Sequence, residues 1–164
     1  MDNNKNNVVI FQSNVQNVKK EWIDYNGHMN VAYYVLIFDL YAAEHLMTKF
    51  EMGEHSAKTT KKSTMVVETH TTYNNEVKQG DEVDIVLTFF DHDKKRLHFK
   101  LEMYEKEKQT LSATIEMLSL YIDLNQRKVA EFEDEKIKIM DEFINKNKSE
   151  FSLDNLVFSG KLKK

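Results

Sequence analysis

The segment Trp22-Ile23-Asp24-Tyr25-Asn26-Gly27-His28-Met29-Asn30 gathers the residue types best suited to chemistry, and an apolar stretch opening Val31-Ala32-Tyr33-Tyr34 follows it directly. A carboxylate held just before a helix start can drive attack on a carbonyl, either itself or through water. The unpaired N–H groups of that helix start carry partial positive charge and can bind the oxygen that turns negative. Asp24 ahead of a helix opening at Val31 has this arrangement. An Asp-x-x-Gly tetrapeptide alone is more often a turn or a helix cap than a site. The strand candidate before it and His-Met-Asn plus a helix after it give the segment its weight.

The other candidates each carry a plainer alternative. His28 would orient a ligand or hold the loop through a nearby carbonyl. Gly27 leaves out a Cβ where backbone and ligand would approach, and Asn30 suits a helix N-cap. Glu68 and His70 stand two apart on a strand candidate, so they share a face with Val66, as a polarised pair or as a solvated surface. Lys94-Lys95-Arg96 is the best local basic cluster for phosphate groups, or a solvated turn. Trp22, Tyr25, Tyr33, Tyr34 and Tyr73 cluster around the motif in sequence, mostly as core or interface residues. Glu44 and His45 fall on the helix and read as polar partners. His28 and His70 lack metal-ligand spacing, so no metal is expected.

The elements that must position these groups follow from periodicity. Val8–Phe11 and Val18–Asp24 read as short extended segments, and Trp22 would then share a strand face with Asp24. Val31 to about Met47 has no glycine and is apolar nearly all round, which predicts a buried helix about 25 Å long. From Ser63 the period changes to two. Thr64–Tyr73, Glu82–Phe90 and Leu97–Tyr104 alternate, the last two with Val83, Ile85, Leu87, Phe89 and Leu97, Phe99, Leu101, Met103 on one side. Leu111–Asp123 turns apolar on both faces from Met117 to Ile122, which suits a central strand or one covered on both sides. Glu133–Lys148 reads as an amphipathic helix with Ile137, Met140, Phe143 and Ile144 on one stripe.

The expected class is therefore α+β: an antiparallel sheet wrapped around one long central helix, with a C-terminal amphipathic helix. Residues 1–7 are expected to be a flexible tail, 8–132 the catalytic-type domain and 133–164 a helical extension for packing or dimerisation.

Composition limits the function. A hydrophobic fraction of 41% and a charged fraction of 30% suit one soluble domain in 164 residues. The net charge of −4 gives no reason to expect nucleic-acid binding. There is no cysteine, which excludes a thiol nucleophile and disulfides and fits a cytoplasmic setting. Met1–Asn7 lacks the apolar core of a signal peptide, and no run is long enough to span a bilayer.

Asp24-Tyr25-Asn26-Gly27-His28-Met29-Asn30-Val31-Ala32-Tyr33-Tyr34 resembles the signature of the 4-hydroxybenzoyl-CoA thioesterase group of hot-dog-fold proteins: an aspartate, a glycine three residues on, His-x-Asn, then an aromatic on the helix. The resemblance covers roughly residues 15–125. With Val67-Glu68-Thr69-His70, Glu76-Val77-Lys78-Gln79-Gly80-Asp81 and Asp91 to Phe99 it is most similar to betainyl-CoA thioesterases of carnitine breakdown. It implies a hot-dog fold, a homodimer or dimer of dimers, and hydrolysis of an acyl-CoA, with betainyl-CoA as a candidate and coenzyme A entering as part of the substrate rather than as a cofactor. It further implies that Asp24 is nucleophile or general base and that the Val31 backbone N–H binds the oxyanion. Trp22, Tyr25 and Tyr33 would contact substrate, with Trp22 caging a trimethylammonium group. Glu68, His70, Lys94, Lys95 and Arg96 would line the site or meet the coenzyme A phosphates. A hot-dog hydratase or dehydratase using Asp24 with His28 is the alternative enzyme. Its longer loop is not evident, and Gly-His-x-Asn favours hydrolysis. A non-catalytic acyl-CoA-binding protein is the alternative outside enzymes.

Overall fold

The computed structural model describes residues 11–12, 16–147 and 155–163. The expected tail at 1–7, and all of Val8–Phe11 except its last residue, lie outside the described residues.

Alternation of apolar and polar residues builds the sheet. Its strands are β1 (Phe11–Gln12), β2 (Gln16–Asn17), β3 (Lys62–Tyr73), β4 (Glu82–His92), β5 (Arg96–Glu105), β6 (Thr110–Asp123) and β7 (Lys128–Val129). The order is β1-β4-β5-β6-β3, with β2 on β4 and β7 on β6, and every pairing is antiparallel. The expected inward sets on β4 and β5 are all buried. β6 is buried on both faces from Ser112 to Ser119; helix covers one face, and on the other Val157 and Phe158 donate to Glu116.

The central helix runs as α1 (Val31–Phe38), a π turn (Asp39–Ala43) and α2 (Glu44–Lys49). Ile37, Phe38, Ala42 and Leu46 are sealed against the inner face of the sheet. The π turn, an irregularity common at functional sites, interrupts what the sequence presents as one continuous helix. A short α3 (Glu54–Thr59), which the periodicity does not signal, leads into β3. The C-terminal stripe folds as α4 (Asp134–Asn147), with Phe143 against Phe50 and Phe89 in the same core. This is the hot-dog arrangement, one helix against an antiparallel sheet. Among the described residues no helix is long and apolar enough to cross a membrane.

Two local departures from the expected pattern matter. Lys20–Trp22 forms a 3-10 turn, not a strand, and only Ile23 makes a bridge, to Met29. In β3 the register shifts between Val66 and Glu68. This bulge turns Glu68 and His70 onto the face opposite Val66.

On the sheet's outer face, His98 Nε2 lies 2.8 Å from Glu116 Oε1, and both side chains are buried. Burial pushes His98 down, so it stays neutral and donates. Burial pushes Glu116 up, but N–H donors on Val157 and Phe158, then His98, outweigh it and hold the carboxylate ionised.

Glu133 ties α4 to the sheet. It accepts from Lys62 Nζ of β3 at 2.6 Å and from the Tyr121 hydroxyl of β6 at 2.8 Å. Burial raises its carboxyl, but the Lys62 bond leads the contacts that bring it down from an ordinary 4.5 to about 2. A carboxyl lowered by folding adds stability that is fully present above 4.5 and is lost as pH falls through about 2. Denaturant titrations across that window should show wild type losing stability more steeply than Glu133→Gln. Parallel profiles would remove Glu133 from this role.

Candidate active site

The segment ahead of α1 is folded back on itself by its own backbone. Asp24 N–H donates to His28 O at 3.0 Å, Gly27 N–H donates to Asp24 O at 3.0 Å, and Asn26 N–H donates to Asp24 Oδ1 at 2.8 Å. Gly27 sits at φ +80°, the left-handed region that glycine tolerates best. A Cβ built there meets nothing within 4 Å, so backbone conformation, rather than lack of room within the chain, is what calls for glycine.

The loop is then pinned to the connection between β3 and β4 and to the turn that precedes the loop itself. Met29 N–H donates to Val77 O at 2.8 Å, and Asn30 N–H donates to Trp22 O at 2.8 Å. Asn30 is the N-cap of α1: its Oδ1 accepts from Ala32 N–H at 2.9 Å and its carbonyl accepts from Tyr33 N–H at 3.0 Å. Val31 is left as the first helical residue, whose N–H has no partner inside an α-helix.

Asp24, His28, Val31, Tyr34, Tyr73 and Glu76 all line one pocket of about 320 Å³. The pocket therefore opens between the start of α1 and the end of β3. His28 Nε2 lies 2.6 Å from Glu76 Oε2, and Lys78 Nζ lies 2.8 Å from Glu76 Oε1. The Lys78 hydrogen bond leads the interactions that hold the Glu76 carboxyl below its ordinary value. Tyr34 meets Tyr73 edge to face, with ring centroids 5.3 Å apart. A larger groove of about 740 Å³ begins at Ala32, one residue beyond Val31, and runs between the helix and β3 past Val35, Leu40, Thr69 and Met117.

Of the residues singled out by sequence, Asp24, His28, Val31, Tyr34 and Tyr73 meet in the pocket, while Gly27 and Asn30 shape its walls without lining it. Trp22 does not share a strand face with Asp24. It is 6% exposed, stacks on Tyr33 at 5.5 Å and carries Lys19 Nζ over its ring, so it is core rather than cage. Tyr33 is its half-buried stacking partner. Tyr25 is 97% exposed at the turn and outside the pocket lining. Glu68 and His70 do not line the site, because the bulge in β3 sends them to the outer face, where Glu68 binds Lys161. Lys94, Lys95 and Arg96 sit at the far end of β4, about 30 Å from the pocket within one chain. There Arg96 pairs with Asp93 and Lys95 with Glu131. Among the described residues, no cluster of three or more His, Asp or Glu side chains is placed to hold a metal ion.

The sequence places Tyr34 and Tyr73 among aromatics that are mostly core or interface residues and gives Glu76 no role, yet all three line the pocket. The signal was topological: the strand that returns from the far end of a long helix must end beside the helix start, which brings residues 73–76 to Asp24.

The pattern of the thioesterase-like superfamily matches residues 18–143. The chain is 33% identical over 118 residues to the betainyl-CoA thioesterase of Pseudomonas aeruginosa, covering 72% of this chain and 74% of that protein. It is 28% identical over 106 residues to the L-carnitine dehydrogenase/betainyl-CoA thioesterase of Rhizobium meliloti, covering 65% of this chain and 21% of that one. A Staphylococcus aureus protein solved in complex with CoA superposes with a TM-score of 0.75 at 28% identity, covering 82% of this chain and 84% of that one.

The left-handed turn and the cap make separable demands on stability. Gly27→Ala should cost about 1 kcal/mol from backbone conformation alone. Asn30→Ala should cost about 1 kcal/mol through the lost cap. Both are read by denaturant midpoint. A Gly27→Ala chain as stable as wild type would show that the turn relaxes and that the φ constraint is not real.

Proposed function

This chain belongs to the thioesterase-like superfamily, and from that premise we propose that it hydrolyses acyl-CoA thioesters at the pocket between Asp24 and the start of α1. The observation that carries the reading is the shared lining: a carboxylate and the first helical residue face one cavity. The thioester carbonyl lies with its oxygen on the Val31 N–H, where the helix dipole favours negative charge. Asp24 either attacks the carbonyl carbon or takes a proton from the attacking water. The carbon–sulfur bond breaks, water supplies hydroxyl to the acyl group, and its proton ends on the leaving thiolate. His28, held by Glu76, orients the loop that carries Asp24. The reaction uses water and the chain's own groups, with coenzyme A entering as substrate. The absence of cysteine supports a cytoplasmic setting. Similarity to two betainyl-CoA thioesterases makes betainyl-CoA the substrate to test first.

The reading includes a homodimer. β3 ends the sheet, and Met65, Val66, Val67 and Tyr73 on it are exposed. Val31, Val35 and Leu40 of the helix are exposed beside it. A long apolar edge strand invites pairing, and a second copy laid along it would close the larger groove.

A thiol-release assay across acetyl-, branched, aromatic and betainyl-CoA should show turnover, and Asp24→Asn should lower kcat about a thousandfold while the chain still folds. Wild-type rates in Asp24→Asn would contradict the assignment. Light scattering should give the mass of two chains, and a monomer that turns over normally would remove the dimer from the account.

A further inference from the structure

A betainyl thioester has an unusual constraint. Its cationic nitrogen is two bonds from the carbonyl carbon, about 2.5 Å away by the same geometry as a backbone N–Cα–C unit. If the carbonyl sits at Val31 and Asp24, the trimethylammonium group must lie in that same pocket. The two carboxylates farther along the larger groove cannot serve it. Even the nearer, Asp39, is eight residues from Val31, about 12 Å along the helix. Trp22 cannot serve either, packed beneath Tyr33.

The pocket itself has suitable walls. Its lining contains no lysine or arginine; its ionisable groups are Asp24, Glu76, His28 and two tyrosines. Tyr34 is buried and fixed, and Tyr73, edge-to-face with it, is 49% exposed. Burial raises both phenols above the ordinary 10.0, so both rings stay neutral. The Glu76 carboxylate is held in place by His28 and by Lys78, which bonds it from outside the lining. Aromatic rings with nearby negative charge attract quaternary ammonium groups, which cannot donate hydrogen bonds and are held by ring electrostatics.

We propose that Tyr73, backed by Tyr34 and flanked by Glu76, forms the wall that recognises a quaternary ammonium group two bonds from the thioester carbonyl, so that the site selects short cationic acyl groups over neutral ones of the same shape. The proposal rests on the hydrolase reading above and names the specificity residues for that site.

The test compares betainyl-CoA with 3,3-dimethylbutanoyl-CoA, which has the same shape with carbon in place of the charged nitrogen, and with acetyl-CoA. Wild-type enzyme should favour betainyl-CoA in kcat/KM over the neutral isostere. Tyr73→Leu should cut that preference roughly tenfold, while Tyr73→Phe, which keeps the ring, should retain most of it. Circular dichroism of each variant checks folding. A wild type without preference, or a Tyr73→Leu variant whose preference is unmoved, overturns the proposal. Cleavage of the neutral substrates with no turnover of betainyl-CoA overturns it while leaving thioester hydrolysis standing. No turnover of any acyl-CoA removes the hydrolase reading, and this one with it.

Discussion

Ile37, Phe38, Ala42 and Leu46 lose essentially all contact with water against the inner face of the sheet. Each side chain larger than alanine gains on the order of 1.5–3 kcal/mol by that burial, and together they fix the helix on the sheet. The helix cannot slide without exposing them, so its first turn has one place to be. That place is the end of β3 and the loop beyond it, where Met29 N–H meets Val77 O. The turn from Asp24 to His28 is then held at a helix start it did not itself build. The π turn at Asp39–Ala43 adjusts the face so that Ala42 and Ala43 are buried along with Leu46 and Met47.

Charge around the pocket follows from the same geometry. Asp24 spends one oxygen on its own turn, through Asn26 N–H. Glu76 arrives from the β3–β4 connection and is met on one oxygen by His28 and on the other by Lys78. The loop bearing Asp24 is therefore tied to the β3–β4 connection twice, once through backbone at Met29 and once through the His28–Glu76 pair. The outer face is organised separately. There the buried His98–Glu116 pair takes its remaining hydrogen bonds from Val157 and Phe158, so the far end of the chain completes a sheet surface that lies away from the pocket.

Much of this was legible in the residues. Val83, Ile85, Leu87 and Phe89 alternate without interruption and are buried, whereas the two-sided burial of β6 runs from Ser112 to Ser119 and only overlaps the apolar stretch Met117 to Ile122. The helix from Val31 and its Asn30 cap follow from local chemistry, because capping depends on neighbours in sequence. The failures are places where one residue changes the phase. Alternation through Thr64–Tyr73 looks unbroken, yet the shift between Val66 and Glu68 reverses which side chains face inward, and Glu68 and His70 leave the site as a result. The 3-10 turn at Lys20–Trp22 does the same to Trp22. Glu76 could not be paired with His28 from sequence, since that contact spans a helix, a short connection and a whole strand.

The chemistry at this pocket depends on where a substrate's carbonyl lies. A crystal structure with an acyl-CoA analogue in which methylene replaces the thioester sulfur would place it directly. The carbonyl oxygen should lie about 3 Å from the Val31 nitrogen and the carbonyl carbon about 3.5 Å from the Asp24 carboxylate or from a water bound to it. An analogue bound with its carbonyl away from both groups, for instance at the far end of the groove beside Asp39, would contradict that placement.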